Sequence, residues 1–104
     1  MEYDVIVSRK ADEMIVSHVR FLAQVSIPAA KVLRNEFCSV LVKLKDNPFQ
    51  FQLEEDLGLP SGKYRRVVFA KRYKAVFSVF ENKVFIDAIM YCRQSKKQET
   101  GSDI

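Results

Sequence analysis

The chain has 104 residues, with 17 Lys and Arg against 13 Asp and Glu, for a formal charge of +4. That length fits one domain, expected over residues 1–95 with a polar tail at 96–104, and eight Phe and four Tyr supply enough apolar bulk to exclude a disordered chain. No run approaches the ~20 apolar residues of a membrane span, and two cysteines without a CxxC pair or a Cys/His cluster argue against a metal centre.

The first residues, MEYDVIVSRK, carry acids where a secretory leader would carry Lys or Arg, so a cytoplasmic protein is expected. In a reducing compartment Cys38 and Cys92 are expected to remain thiols. Charge is unevenly spread. Residues 1–62 hold seven basic and nine acidic residues, whereas residues 63–97 hold ten basic residues against Glu81 and Asp87, a local +8. A concentrated positive field favours acidic partners, either nucleic acid or an acidic protein.

In chain order, Glu2 to Val7 alternates and ends β-branched, which predicts a short strand. Ser8 is placed to cap a helix over Arg9 to Gln24, where Ala11, Met14, Ile15, His18, Leu22 and Val25 recur at spacings of three and four. Ser26-Ile27-Pro28 predicts a break and a restart, because proline is tolerated in a helix's first turn. Ala30, Leu33, Phe37, Val40, Leu41 and Leu44 mark one face of the second helix, and Asp46-Asn47-Pro48 stops it. Phe49 to Gly62 has no period and reads as a crossing loop. Three strands follow, Tyr64–Ala70, Tyr73–Phe80 and Lys83–Cys92, with turns at Lys71-Arg72 and Glu81-Asn82. The expected fold is α+β in the order β-α-α-β-β-β, a helical hairpin packed on a mostly antiparallel sheet.

Side chains alternate faces along a strand. With a two-residue turn at Lys71-Arg72, Arg65 and Lys74 are expected on one sheet face, joined there by Arg93. Three converging cations would make a phosphate or carboxylate site. Asp87, alone among apolar neighbours, is expected to pair with Arg65 or Arg66. Cys92 is expected as a small buried side chain, Tyr64 and Tyr73 as packing residues, and His18 as structural.

Several pieces in this order resemble the RelE/ParE superfamily of toxins from type II toxin–antitoxin (plasmid stabilisation) systems. They are Tyr3-Asp4-Val5 leading into Ser8-Arg9-Lys10-Ala11, Phe21-Leu22-Ala23 with Ser26 and Ala29-Ala30, Leu44 with Asn47-Pro48, Leu59-Pro60-Ser61-Gly62-Lys63-Tyr64-Arg65, Arg72-Tyr73-Lys74-Ala75-Val76-Phe77, and Ile89 through Arg93-Gln94. The resemblance spans residues 3–95 and implies the same fold. It implies a basic, growth-inhibiting cytoplasmic protein without a cofactor, neutralised by a cognate antitoxin.

Two branches of that superfamily differ in target. ParE-like members bind DNA gyrase and need no catalytic set, and the helical half, from Phe21 through Ala30, looks more like this branch. RelE-like members are ribosome-dependent messenger-RNA endoribonucleases. For that alternative the resemblance puts Arg65, Lys74 and Arg93 at catalytic positions. Val67 stands where a second basic residue is usual and the terminal Tyr is absent, leaving Tyr91 on the strand. For target or antitoxin binding the basic block points to Arg65, Arg66, Lys71, Arg72, Lys74 and Arg93.

Overall fold

The structure, a computed structural model, describes residues 2–55, 58–60 and 62–92. Arg93 and the polar tail at 96–104 lie outside the described residues. The elements are β1 (Asp4–Val7), α1 (Arg9–Val25), α2 (Ile27–Asp46), a 3₁₀ turn (Pro48–Gln50), β2 (Tyr64–Phe69), β3 (Tyr73–Phe80) and β4 (Lys83–Tyr91). The strands form one sheet in the order β1-β4-β3-β2, parallel only between β1 and β4. This is the expected order of elements.

Two serines set the helix boundaries. Ser8 Oγ accepts the Ala11 N–H at 3.0 Å, and Ser26 Oγ accepts the Ala29 N–H at 3.2 Å. Ser26 alone separates the helices, since its own N–H also closes α1 on the Leu22 carbonyl at 2.8 Å. A side-chain oxygen at this position satisfies a first-turn donor that no helical carbonyl reaches. Ser26→Ala is therefore expected to lower stability by about 1 kcal/mol. A denaturation curve would show a lower midpoint with an unchanged slope.

Both helices cover the same face of the sheet. Ala11 and Ile15 from α1, and Leu33, Phe37, Val40 and Leu44 from α2, are buried against Val67, Phe69, Tyr73, Ala75, Phe77, Val84, Ile86 and Ile89. Val25, expected on the inner face of α1, instead stands exposed at its last turn. Among the described residues, no helix covers the opposite face. Lys74, Val76 and Ser78 of β3 share it with Tyr64, Arg66 and Val68 of β2.

The β2–β3 turn decides these faces, and it differs from expectation. Phe69 pairs with Tyr73, so the loop is three residues, Ala70, Lys71 and Arg72, with Ala70 and Lys71 at φ 49° and 69°. A two-residue Lys71-Arg72 turn would pair Ala70 with Tyr73. The extra residue shifts the register by one and turns every β2 side chain over relative to β3.

A second departure lies in β4. Phe77 pairs with Ile86 while Val76 pairs with Ala88, leaving Asp87 as a bulge residue. The alternation expected to group Asp87 with Phe85, Ile89 and Tyr91 breaks there. Ile86 and Ile89 both reach the core.

Candidate functional site

The register places Arg65 and Lys74 on opposite faces of the sheet. The expected convergence of these two cations does not occur. Arg65 lies opposite Phe77 on the helix side. Its Nη1 donates to the Phe51 carbonyl at 2.7 Å, and its guanidinium sits 5.1 Å over the Phe49 ring. Arg65 thus fastens the segment after α2 to the sheet through a hydrogen bond and a cation–π contact.

Lys74 lies on the open face beside Arg66. Between them stands a residue that the reading of the strands passed over, Glu54, which is only 4% exposed. Lys74 Nζ donates to Glu54 Oε1 at 3.0 Å, and Arg66 Nη1 stands 3.9 Å from the same oxygen. Arg66 also donates through Nη1 to the Leu53 carbonyl at 2.7 Å and through Nη2 to Gln52 Oε1 at 2.8 Å. So Arg66 pairs with Glu54, not with Asp87, which stands at the bulge where its carbonyl faces the Ser8 hydroxyl at 3.4 Å.

The segment that supplies Glu54 lies along the edge of β2. The Glu54 N–H donates to the Tyr64 carbonyl at 2.7 Å and the Arg66 N–H to the Gln52 carbonyl at 3.0 Å, with Leu53 bridging to Arg65. The crossing region expected as a loop therefore contributes both the 3₁₀ turn and a short edge bridge. A Glu-Glu-Asp run in a stretch without period gave no sign that its first member turns inward. The one available signal was Lys74 within the apolar β3, where its partial burial calls for a counter-charge.

Cys92 lies next to this cluster, half-buried, with its N–H donating to the Arg72 carbonyl at 2.6 Å. Burial pushes the thiol pKa up; Lys74 and Arg66 pull it down and Glu54 raises it, with burial dominant. Only the thiolate attacks a disulfide reagent. In mildly alkaline buffer Cys92 is therefore expected to react more slowly than the exposed Cys38, and the gap should narrow as pH rises. Reaction rates of the Cys38→Ser and Cys92→Ser variants would check this. The two thiols are free, as expected.

The remaining expected site residues are scattered. Lys71 and Arg72 are exposed in the β2–β3 turn. Tyr91 is exposed at the end of β4, with its ring 5.2 Å from Tyr73. Tyr73 is buried, and its pKa is raised by burial and by Tyr91. His18 packs edge-on to Tyr73 at 5.1 Å, and its Nε2 donates to the Ile89 carbonyl at 3.0 Å, which ties α1 to β4. Tyr73 and His18 thus fill structural positions, and Tyr64 is half-buried on the open face.

That face also holds a groove of about 590 Å³, floored by Val76, Ala88 and Met90 and walled by Leu59, Tyr64 and Lys10. Among the described residues no cluster of His, Cys, Asp and Glu is arranged to hold a metal ion, and no helix is long and apolar enough to cross a membrane.

No protein-family profile matches this chain, and no curated protein does. Among solved structures, the fold is similar to that of a chain in the chromosomal ParDE TA system from P. aeruginosa. The TM-score is 0.70 at 14% identity, with 88% of this chain and 98% of that chain covered. Two helices on a four-stranded, mostly antiparallel sheet are thus a ParE/RelE-like fold, as the resemblance in sequence implied.

Proposed function

We propose that this chain is the toxin of a type II toxin–antitoxin pair, ParE-like in that it stops growth by binding its target, DNA gyrase, in the cytoplasm. Its partner is a cognate antitoxin, an acidic and partly disordered segment that folds on the basic protein. The solved ParDE system supports the pairing, and the basic block from Lys63 onward supports an acidic partner.

One observation favours binding over catalysis. Arg65 and Lys74, which a ribonuclease would aim at one phosphate, stand on opposite faces with their charged groups already engaged. Cleavage needs a base, charge stabilisation and a proton for the leaving group at one point. A protein that works by docking needs none of these.

A second reading, a ribosome-dependent endoribonuclease, also has an observation in its favour. Glu54, Lys74 and Arg66 meet on the open face, and a carboxylate base beside two cations is the group set that a 2′-hydroxyl attack uses. Induced expression, with cellular RNA and plasmid DNA both examined, separates the two. Intact messages with gyrase-linked DNA breaks are expected. Ribosome-dependent cleavage that Arg66→Ala abolishes would overturn the binding reading, and normal growth without either effect would remove the toxin assignment.

A further inference from the structure

Three consecutive residues, Gln52, Leu53 and Glu54, supply every partner described for the Arg66 and Lys74 side chains. The acceptors are Gln52 Oε1, the Leu53 carbonyl and Glu54 Oε1, at 2.7–3.0 Å from the cationic nitrogens that donate to them. A row of oxygens along an extended backbone, ending in a negative charge, presents to these cations what a stretch of phosphodiester backbone would present. Arginine and lysine bind carboxylate and phosphate through the same donors.

The hold of this segment on the sheet is mostly polar. Gln52, Leu53 and Glu55 are exposed, so no apolar side chain of the three-residue clip or of Glu55 anchors it in the core. Phe51, just before the clip, is the apolar anchor, packed on the core with its ring 6.2 Å from Phe77. Within the clip, two backbone hydrogen bonds and the contacts to Arg66 and Lys74 hold it against β2. Contacts of that kind are the ones a polyanion competes for, since it meets the same cations with more charge.

We infer that Arg66 and Lys74 form a phosphodiester-binding site on the open sheet face, and that the Gln52–Glu54 segment is its internal plug, with Glu54 in the place of a phosphate. Displacing the plug moves Glu54 into water and leaves two adjacent cations facing the ligand. The site and its plug stand apart from the choice of growth target, because they rest only on these contacts.

The test is titration of the whole chain with fluorescent single-stranded oligouridylate RNA and oligothymidylate DNA of matched length, at fixed salt. Glu54→Gln keeps the size of the side chain and removes its charge. It is expected to tighten binding about tenfold, the effect of one well-placed charge contact. Glu13→Gln on the exposed face of α1 makes the same change in net charge and is expected to shift affinity by less than about twofold. Adding Lys74→Met to Glu54→Gln should erase the gain. Tightening for RNA alone identifies ribose-dependent recognition, and tightening for both strands identifies the phosphodiester itself; both support the site.

No tightening in Glu54→Gln, an equal gain in Glu13→Gln, or a gain that survives Lys74→Met would overturn it. Residue-resolved hydrogen exchange on the unsubstituted chain provides a second measurement. Saturating oligonucleotide should expose the Glu54 and Arg66 amides, the two donors that close the clip. Unchanged or increased protection at both would also overturn the inference.

Discussion

Phe69→Ala is expected to cost about 4 kcal/mol, whereas Val68→Ala, one residue earlier on the same strand, should cost less than about 1 kcal/mol. Phe69 is 4% exposed, with its ring 5.8 Å from Phe37 of α2 and 6.1 Å from Tyr73. Its removal leaves a void between helix and sheet that neighbouring rings fill only in part, so the loss of transfer energy is joined by a cavity term. Val68 is 54% exposed on the open face. Urea denaturation of both variants reads the difference directly. Because adjacent residues point to opposite faces, the pair also reports the register. If Val68 were the sensitive position, β2 would be turned over, Arg65 would join Lys74, and the case against a convergent catalytic face would collapse.

That register was also the point at which the amino-acid pattern stopped being sufficient. Helices were legible because Ala30, Leu33, Phe37, Val40 and Leu44 keep helical spacing and because Ser8, Ser26 and Pro28 mark their starts. Strands were legible from their β-branched and aromatic content. What Ala70 would do was not legible. Alanine extends a strand as readily as it enters a turn, and only its φ of 49° shows which occurred. No glycine or asparagine announced the left-handed conformation there. The bulge at Asp87 was hidden for the same reason, since Asp87-Ala88 has no local signature of an inserted residue.

The consequence for the site was larger than for the fold. A one-residue error leaves the order of elements intact but separates Arg65 from Lys74. The role of Glu54 depends on a bridge between residues 53 and 65, a contact between segments that no spacing within either encodes.

The Glu54–Lys74 pair makes an asymmetric prediction. Lys74→Met is expected to destabilise the protein by about 3 kcal/mol, and Glu54→Ala by only about 1 kcal/mol. The two differ in what the surviving partner can do. The Glu54 side chain is short and 5% exposed, so without Lys74 its charge stays buried with, among the described residues, Arg66 at 3.9 Å in compensation. The Lys74 side chain is 17% exposed and long enough to carry its ammonium into water once Glu54 is gone. Replacing both, as Glu54→Leu with Lys74→Met, removes the two charges together and is expected to fall within about 1 kcal/mol of the unsubstituted protein. Thermal and urea unfolding of the three variants gives the order. Should Glu54→Ala prove the most damaging, the carboxylate is a brace that the sheet edge cannot lose, and it could not also act as a displaceable plug. If Lys74→Met is the most damaging and the double replacement is nearly neutral, the pair adds little to stability, which leaves Arg66 and Lys74 open to a ligand that competes for them.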